Sequence, residues 1–318
     1  MLIGVLFALV AGAIWGLIFV GPMLIPEYPA ALQSVGRYLA FGLICLPIAW
    51  QDRKRLSMLS KNDWLEALKL AAIGNLLYYF CLSSAIQKVG APISSMIIGI
   101  LPVVVSVFSN IHYSHRDGQF AWKQLFPSLI LILIGLGCVN LAELRGNTAK
   151  YDLPTYLLGI LFAFMAVACW TWYPMRNANW LRLNKTKSPI TWATAQGIAT
   201  LPLAIIGYGL IWAQLHITQS SFDMPFGPRP WVFISLMFAI GLLCSWVGTL
   251  CWNQASQRLP TSLVGQLIVF ETLAGLAYAF LLRQEYPPIL TIIGVFTLML
   301  GVIKTFTIKQ RIPAQTAE

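Results

Sequence analysis

The sequence predicts an all-α integral membrane protein of ten transmembrane helices, arranged as two inverted five-helix repeats. Three observations predict it. Of 318 residues, 58% are hydrophobic and only 10% are charged, where a soluble domain carries about 25% charged residues. Ten apolar segments follow one another, at approximately 2–22, 30–50, 64–86, 91–112, 125–142, 155–176, 190–213, 231–255, 261–282 and 288–308. A helix rising 1.5 Å per residue needs about 20 such residues to cross a bilayer. Finally, residues 255–271 align without gaps on residues 85–101, pairing Ala85 with Ala255, Gln87 with Gln257 and Lys88 with Arg258. Such a repeat sets the architecture.

The first segment has no positively charged stretch before it and reads as a retained helix rather than a cleaved signal. Ala8, Gly12 and Gly16 recur every four residues, a small-residue face for close packing within the fold or between copies, so monomer and homodimer are both open. The second segment carries Arg37, one turn past Gln33; its expected role is structural, pairing with a carboxylate or snorkelling to the outer face. Glu66 and Lys69, three apart at the start of the third segment, suit an interfacial ion pair. Pro22, Pro102, Pro174 and Pro202 mark expected kinks or helix ends. The longest connection, 214–230, is rich in Pro, Ser and Gly and too short for a soluble domain. The ninth segment, Thr261 to Leu282, carries Glu271 near its middle. A charge at that depth costs about 2.5–3.5 kcal/mol on insertion scales, so Glu271 is expected to face protein or a wet cavity.

The basic residues sort by side. With the N-terminus cytoplasmic, inside loops and their margins hold fourteen Lys and Arg against five outside. This places both termini inside. Five helices per half is odd, so the second half starts from the opposite face, and a repeated unit is then inverted. Such repeats place a site near the midplane. The predicted repeats are residues 1–150 and 151–318, the second ending in a short cytoplasmic tail.

The net charge of +10 follows from those loops, and no basic patch interleaved with aromatics points to nucleic acid. The six cysteines all lie in apolar stretches without a CxxC pair and read as packing residues. His112 and His115 stand at a loop margin with no third ligand nearby, so no metal is expected. No phosphate-binding loop, HExxH or GxSxG occurs. Neither an enzyme nor an ATP-driven pump is expected, and no cofactor.

The first-half stretches AGAIWG (Ala11–Gly16), Arg37 and AIQKVGAPISSMIIGILPV, with SWVGTLCWNQASQRLPTS and the Glu271 helix in the second half, together resemble the bacterial EamA-type branch of the drug/metabolite transporter superfamily. Further echoes pair Trp15 with Trp170 and Asn75–Cys81 with Ser245–Cys251. The likeness covers nearly the whole chain. One departure stands out: Glu271 is followed by Thr272 where the family often has Pro, which suggests a weaker kink than at Pro102. The resemblance implies a secondary transporter of the bacterial inner membrane, exporting a small metabolite such as an amino acid or amine by alternating access. It implies a cavity lined by Trp15, Asn75, Tyr78, Tyr79, Ser95, Trp170, Tyr173, Trp246, Thr249 and Gln266. Aromatic walls of that kind suit a cation or flat ring. Glu271 is the expected coupling residue, carrying a proton or holding a substrate amine. The alternatives are a lipid-linked intermediate flippase, which needs a laterally open groove, and a scaffold, which needs tight apolar packing around Glu271.

Overall fold

The computed structural model describes residues 2–112, 121–145, 152–218, 220–284, 286–306 and 308, without the side chains at 22–23, 90–93, 95–96, 140, 143–145, 262, 279, 283 and 305–306. Among the described residues every regular element is a helix. We label ten rods: α1 (Leu2–Leu24), α2 (Ala30–Gln51), α3 (Lys61–Lys69, continuing through Leu70–Leu77 and Tyr78–Ile98), α4 (Leu101–His112) and α5 (Trp122–Arg145). The second half has α6 (Leu153–Leu183), α7 (Pro189–Ile217), α8 (Pro230–Ile240, continuing through Gly241–Val247 and Gly248–Arg258), α9 (Thr261–Leu267 and Val269–Arg283) and α10 (Ile289–Phe306). Eight rods are long and apolar enough to cross a membrane; α4 and α10 are shorter apolar helices.

Two expectations about the helix breaks change. The fourth segment is not one helix from 91 to 112: the backbone stays helical through Gly90 and Pro92 to Ile98 and breaks at Gly99–Ile100. Pro92 therefore stands inside the rod, although an interior proline forfeits one donor and crowds the carbonyl four residues back. The second-half break is also real, although Thr272 replaces proline. α9 is interrupted at Ile268, and Glu271 N–H donates to Ile268 O at 2.9 Å, a tight three-residue turn. Ile100 N–H likewise donates to Ile97 O at 3.2 Å. Ile98 and Ile268 are partners in the 170-residue offset of the sequence echo. The widened π-helical stretches Leu70–Leu77 and Gly241–Val247 stand at the same offset. π-helical stretches in helices are frequently functional, and these two flank the site described below.

Packing repeats the same plan. α2 lies on α7, α4 on the first part of α9, and α5 on α10; α1 packs on α8 and α9, and α6 on α3. Small residues make these contacts close, because lipid offers no hydrophobic drive for helices to associate and fit must supply it. Gly12 and Gly16 bring α1 against Phe270, Glu271 and Ala274 of α9, so the small-residue stripe is spent inside the fold. Gly135 and Gly294 bring α5 and α10 together, where a Cβ on either would stand 2.7 Å from the other's carbonyl. Ser128 Oγ donates to Gly301 O at 2.5 Å across the same pair. Charged faces are scarce, and most exposed large side chains are apolar, as a lipid-facing surface requires.

Candidate functional site

Six rods, α1, α2, α3, α6, α8 and α9, meet around a small internal space. Its volume is about 20 Å³, room for about one water. One wall is an aromatic stack. Trp170 and Tyr173, three apart on α6, lie parallel with centroids 4.9 Å apart, and Tyr78 of α3 stacks on Trp170 at 5.0 Å. Trp15 meets Trp170 edge-on at 5.4 Å, and its Nε1 donates to Cys244 O at 2.7 Å. Gly248 permits this approach, since a Cβ there would fall 2.4 Å from the Trp15 indole nitrogen. Tyr173 is fixed from behind, its hydroxyl donating to Gln196 Oε1 at 2.9 Å.

The other wall is charged. Arg37 is only 5% exposed. Its Nε donates to Ser245 Oγ at 3.0 Å, and its guanidinium stands 5.0 Å from the ring centroids of both Tyr38 and Tyr79. Its Nη1 is buried without a hydrogen-bond partner. Glu271 lines the same space at 7% exposure, and its Oε2 is likewise buried and unpartnered. Glu271 lies in the first turn after the α9 break, where the positive end of a half-helix dipole favours an anion. Among the described residues the two charges form no ion pair. A buried charge without a partner costs several kcal/mol, and here a guanidinium and a carboxyl line one cavity with an atom of each left unsatisfied.

Of the residues expected to bind substrate, Trp15, Asn75, Tyr78, Trp170, Tyr173 and Thr249 line this space together with Glu271. Tyr79 lies behind Arg37 and lines a neighbouring cavity instead. Trp246 does not line the space; it is half-buried and its Nε1 donates to Thr194 Oγ1 at 3.4 Å. Gln266 is fully buried in α9 away from it, with both amide atoms unpartnered. The Ser95 side chain lies outside the described residues, as does His115. Ile18, Arg37, Tyr38, Phe41, Cys244 and Ser245 complete the lining and were not expected there. Arg37 neither snorkels outward nor pairs with a carboxylate: α2 is packed over α7 and α8, which buries the guanidinium. The signal that flagged Glu271, an ionisable group inside an apolar helix, applies to Arg37 equally.

Polar latches close both ends. At the α3 start, Arg176 of α6 grips Glu66 with a two-pronged ion pair, its Nη2 reaching Oε2 at 3.1 Å. Glu66 therefore pairs across helices rather than with Lys69. Lys187 Nζ reaches Asp63 Oδ2 at 2.6 Å, and Trp180 Nε1 donates to Asp63 Oδ1 at 2.9 Å. At the α1 end, on the opposite face, Arg229 pairs with Glu27 at 2.5 Å and its N–H donates to Tyr28 Oη at 2.9 Å. Arg229 holds the Glu27 carboxyl below its usual pKa.

The model of the EamA-like transporter family matches residues 2–141. The chain is 60% identical over 303 residues to the inner membrane protein YtfF of Escherichia coli (strain K12), covering 95% of this chain and 94% of that protein. A protein of known crystal structure, 16% identical, superimposes with a TM-score of 0.68 over 95% of this chain and 96% of its own; at that identity the likeness concerns the fold.

Proposed function

We propose that this chain, which belongs to the EamA-like transporter family of the drug/metabolite transporter superfamily, is a secondary transporter of the bacterial inner membrane that carries a small zwitterion, such as an amino acid, or a related amine. One observation carries the reading: Arg37 Nη1 and Glu271 Oε2 are both buried, both without a partner and both turned to one cavity walled by aromatic rings. A substrate carboxylate satisfies the guanidinium. An ammonium satisfies Glu271 beside the aromatic wall. Arg37, Asn75, Ser245 and Thr249 around Glu271 are the wrong surroundings for a scaffold, which has no use for a charged interior. Glu271 doubles as the proton carrier, binding a proton in one state and the substrate amine in the other.

Alternating access is read from the two latches. With both engaged the centre holds about 20 Å³, an occluded form; transport opens one latch at a time. Two inverted five-helix repeats, residues 1–150 and 151–318, supply the symmetry for two such gates, and the paired helix breaks and π-helical stretches support them. We assign both termini to the cytoplasm from the loop charges and export as the direction from the family.

The test is flux into proteoliposomes of labelled L-alanine and ethylamine. A charge-assisted hydrogen bond contributes about 1.5–3 kcal/mol, so losing one weakens binding by about 10- to 150-fold. Arg37→Gln is expected to impair alanine by that factor and spare ethylamine. Glu271→Gln is expected to impair both and to abolish stimulation by a pH gradient. Unchanged turnover and pH dependence in Glu271→Gln removes its coupling role; unchanged selectivity in both variants removes the zwitterion reading.

A further inference from the structure

A second cavity, about 190 Å³, lies between α1, α2 and α3, beside the occluded centre. The two linings have one side chain in common, Ile18, and Tyr79 stands between them. Tyr79 lines the larger one with its ring and shields the Arg37 guanidinium of the smaller one at 5.0 Å. Tyr28 and the exposed Pro26, beside the Glu27–Arg229 latch, line its other end.

The chemistry of the two spaces is opposite. The centre presents unpartnered charge. The larger cavity presents Ile18, Phe19, Leu82 and Ile86, with exposed Gln87 at its margin, and two of its buried polar side chains already spend their donors on backbone carbonyls. Gln33 Nε2 donates to Tyr28 O at 2.9 Å and Ile25 O at 3.2 Å, and Ser83 Oγ donates to Tyr79 O at 2.6 Å. A cavity that asks for few hydrogen bonds favours an apolar occupant over water. An apolar cavity of about 150 Å³ takes up benzene, so this one has room for a ring or a branched aliphatic chain.

Resting on the reading of the centre as a zwitterion site, we propose that this cavity is the subsite for the apolar side chain of the transported molecule. The substrate class is then an amphipathic zwitterion or amine: the charged head lies between Arg37 and Glu271, and the apolar group passes Ile18 and Tyr79 into the space beside Tyr28. The centre alone is too small for any such molecule.

The test fills the cavity from two helices independently, with Ser83→Leu on α3 and Ala30→Leu on α2, and measures equilibrium dialysis of labelled L-phenylalanine, L-alanine and indole on the purified full chain. Burying a ring is expected to make phenylalanine bind at least about tenfold tighter than alanine in the unaltered protein. Either filling is expected to bring that ratio to within about threefold, to leave alanine binding in place and to abolish binding of indole, which has no charged head. A ratio that survives both fillings, or indole that fails to bind or binds all three proteins alike, overturns the proposal. Indole binding that is lost on filling, with neither alanine nor phenylalanine bound by the unaltered protein, overturns instead the zwitterion reading of the centre.

Discussion

Replacing Asn177 by leucine removes the hub of a buried network and leaves its volume nearly filled. Asn177 Oδ1 accepts from Trp192 Nε1 at 2.8 Å and Gln196 Nε2 at 3.1 Å, while its Nδ2 donates to Asn253 Oδ1 at 2.8 Å. All four residues are fully buried, and together they tie α6 to α7 and α8. Two scales compete for the cost. Orphaned buried groups in soluble proteins cost about 1–3 kcal/mol each, or about 3–9 for three. Inter-helix hydrogen bonds in membranes average only about 0.6 kcal/mol, with a maximum near 1.7, because the unfolded chain also finds partners in the bilayer. The second scale governs here, since unfolding leaves these helices in lipid. The expected loss is therefore about 2 kcal/mol, read by equilibrium unfolding in bicelles with a denaturing detergent. A double-mutant cycle with Asn253→Leu is expected to show a coupling of about 0.5–1.5 kcal/mol. Substrate binding by the folded fraction is expected to change only through Tyr173, whose hydroxyl donates to Gln196, because Asn177 does not itself line the cavity. A leucine variant as stable as the parent, or a cycle with no coupling, refutes the claim that this network holds the three helices together.

Two further outcomes follow from the geometry. A Cβ on Gly74 would stand 2.1 Å from the Tyr173 ring and 2.9 Å from its Cβ, and Tyr173 is 1% exposed, so Gly74→Ala is expected to cost about 1–3 kcal/mol by overpacking and to weaken substrate binding by shifting one cavity wall; unchanged unfolding and affinity would show that the ring yields freely. At the Glu27–Arg229 latch, Glu27 has a lowered pKa because Arg229 stabilises its charged form. Its contribution is fully present above the ordinary carboxylate pKa, about 4.3, and is lost as pH falls through the lowered value. Glu27→Gln is therefore expected to flatten the stability profile between about pH 5 and pH 3 relative to the parent, and identical profiles would show that the pair contributes nothing.

The membrane class, the helix positions outside the 86–101 stretch to within several residues and the 170-residue echo were legible because a bilayer imposes length and apolarity on each crossing separately. Glu271, Trp15 and Trp170 were legible for a related reason. A carboxylate has few homes inside an apolar helix, and the two tryptophans occupy matched places in the repeat. Orientation was not legible. These helices are apolar on every side, facing lipid on one and neighbours on another, so periodicity does not tell which face of a rod points inward. That is why Arg37 was read as structural, and why Trp246 and Gln266 were placed in a cavity they do not line. It is also why Tyr79 was assigned to one space when it divides two.

The breaks divide in the same way. Pro102 signalled a discontinuity in α4, but Gly99–Ile100 and Ile268 are where the backbone tightens, and no proline marks the second. What the sequence by itself determined is the number, order and repetition of the apolar segments, and the presence of ionisable groups among them, because desolvation acts on each residue wherever it packs. What only the tertiary structure decided is which of those groups meet. Arg37 on α2 and Glu271 on α9 are 234 residues apart and share one cavity, an arrangement set by the close fit of small residues between rods rather than by any local preference of the chain.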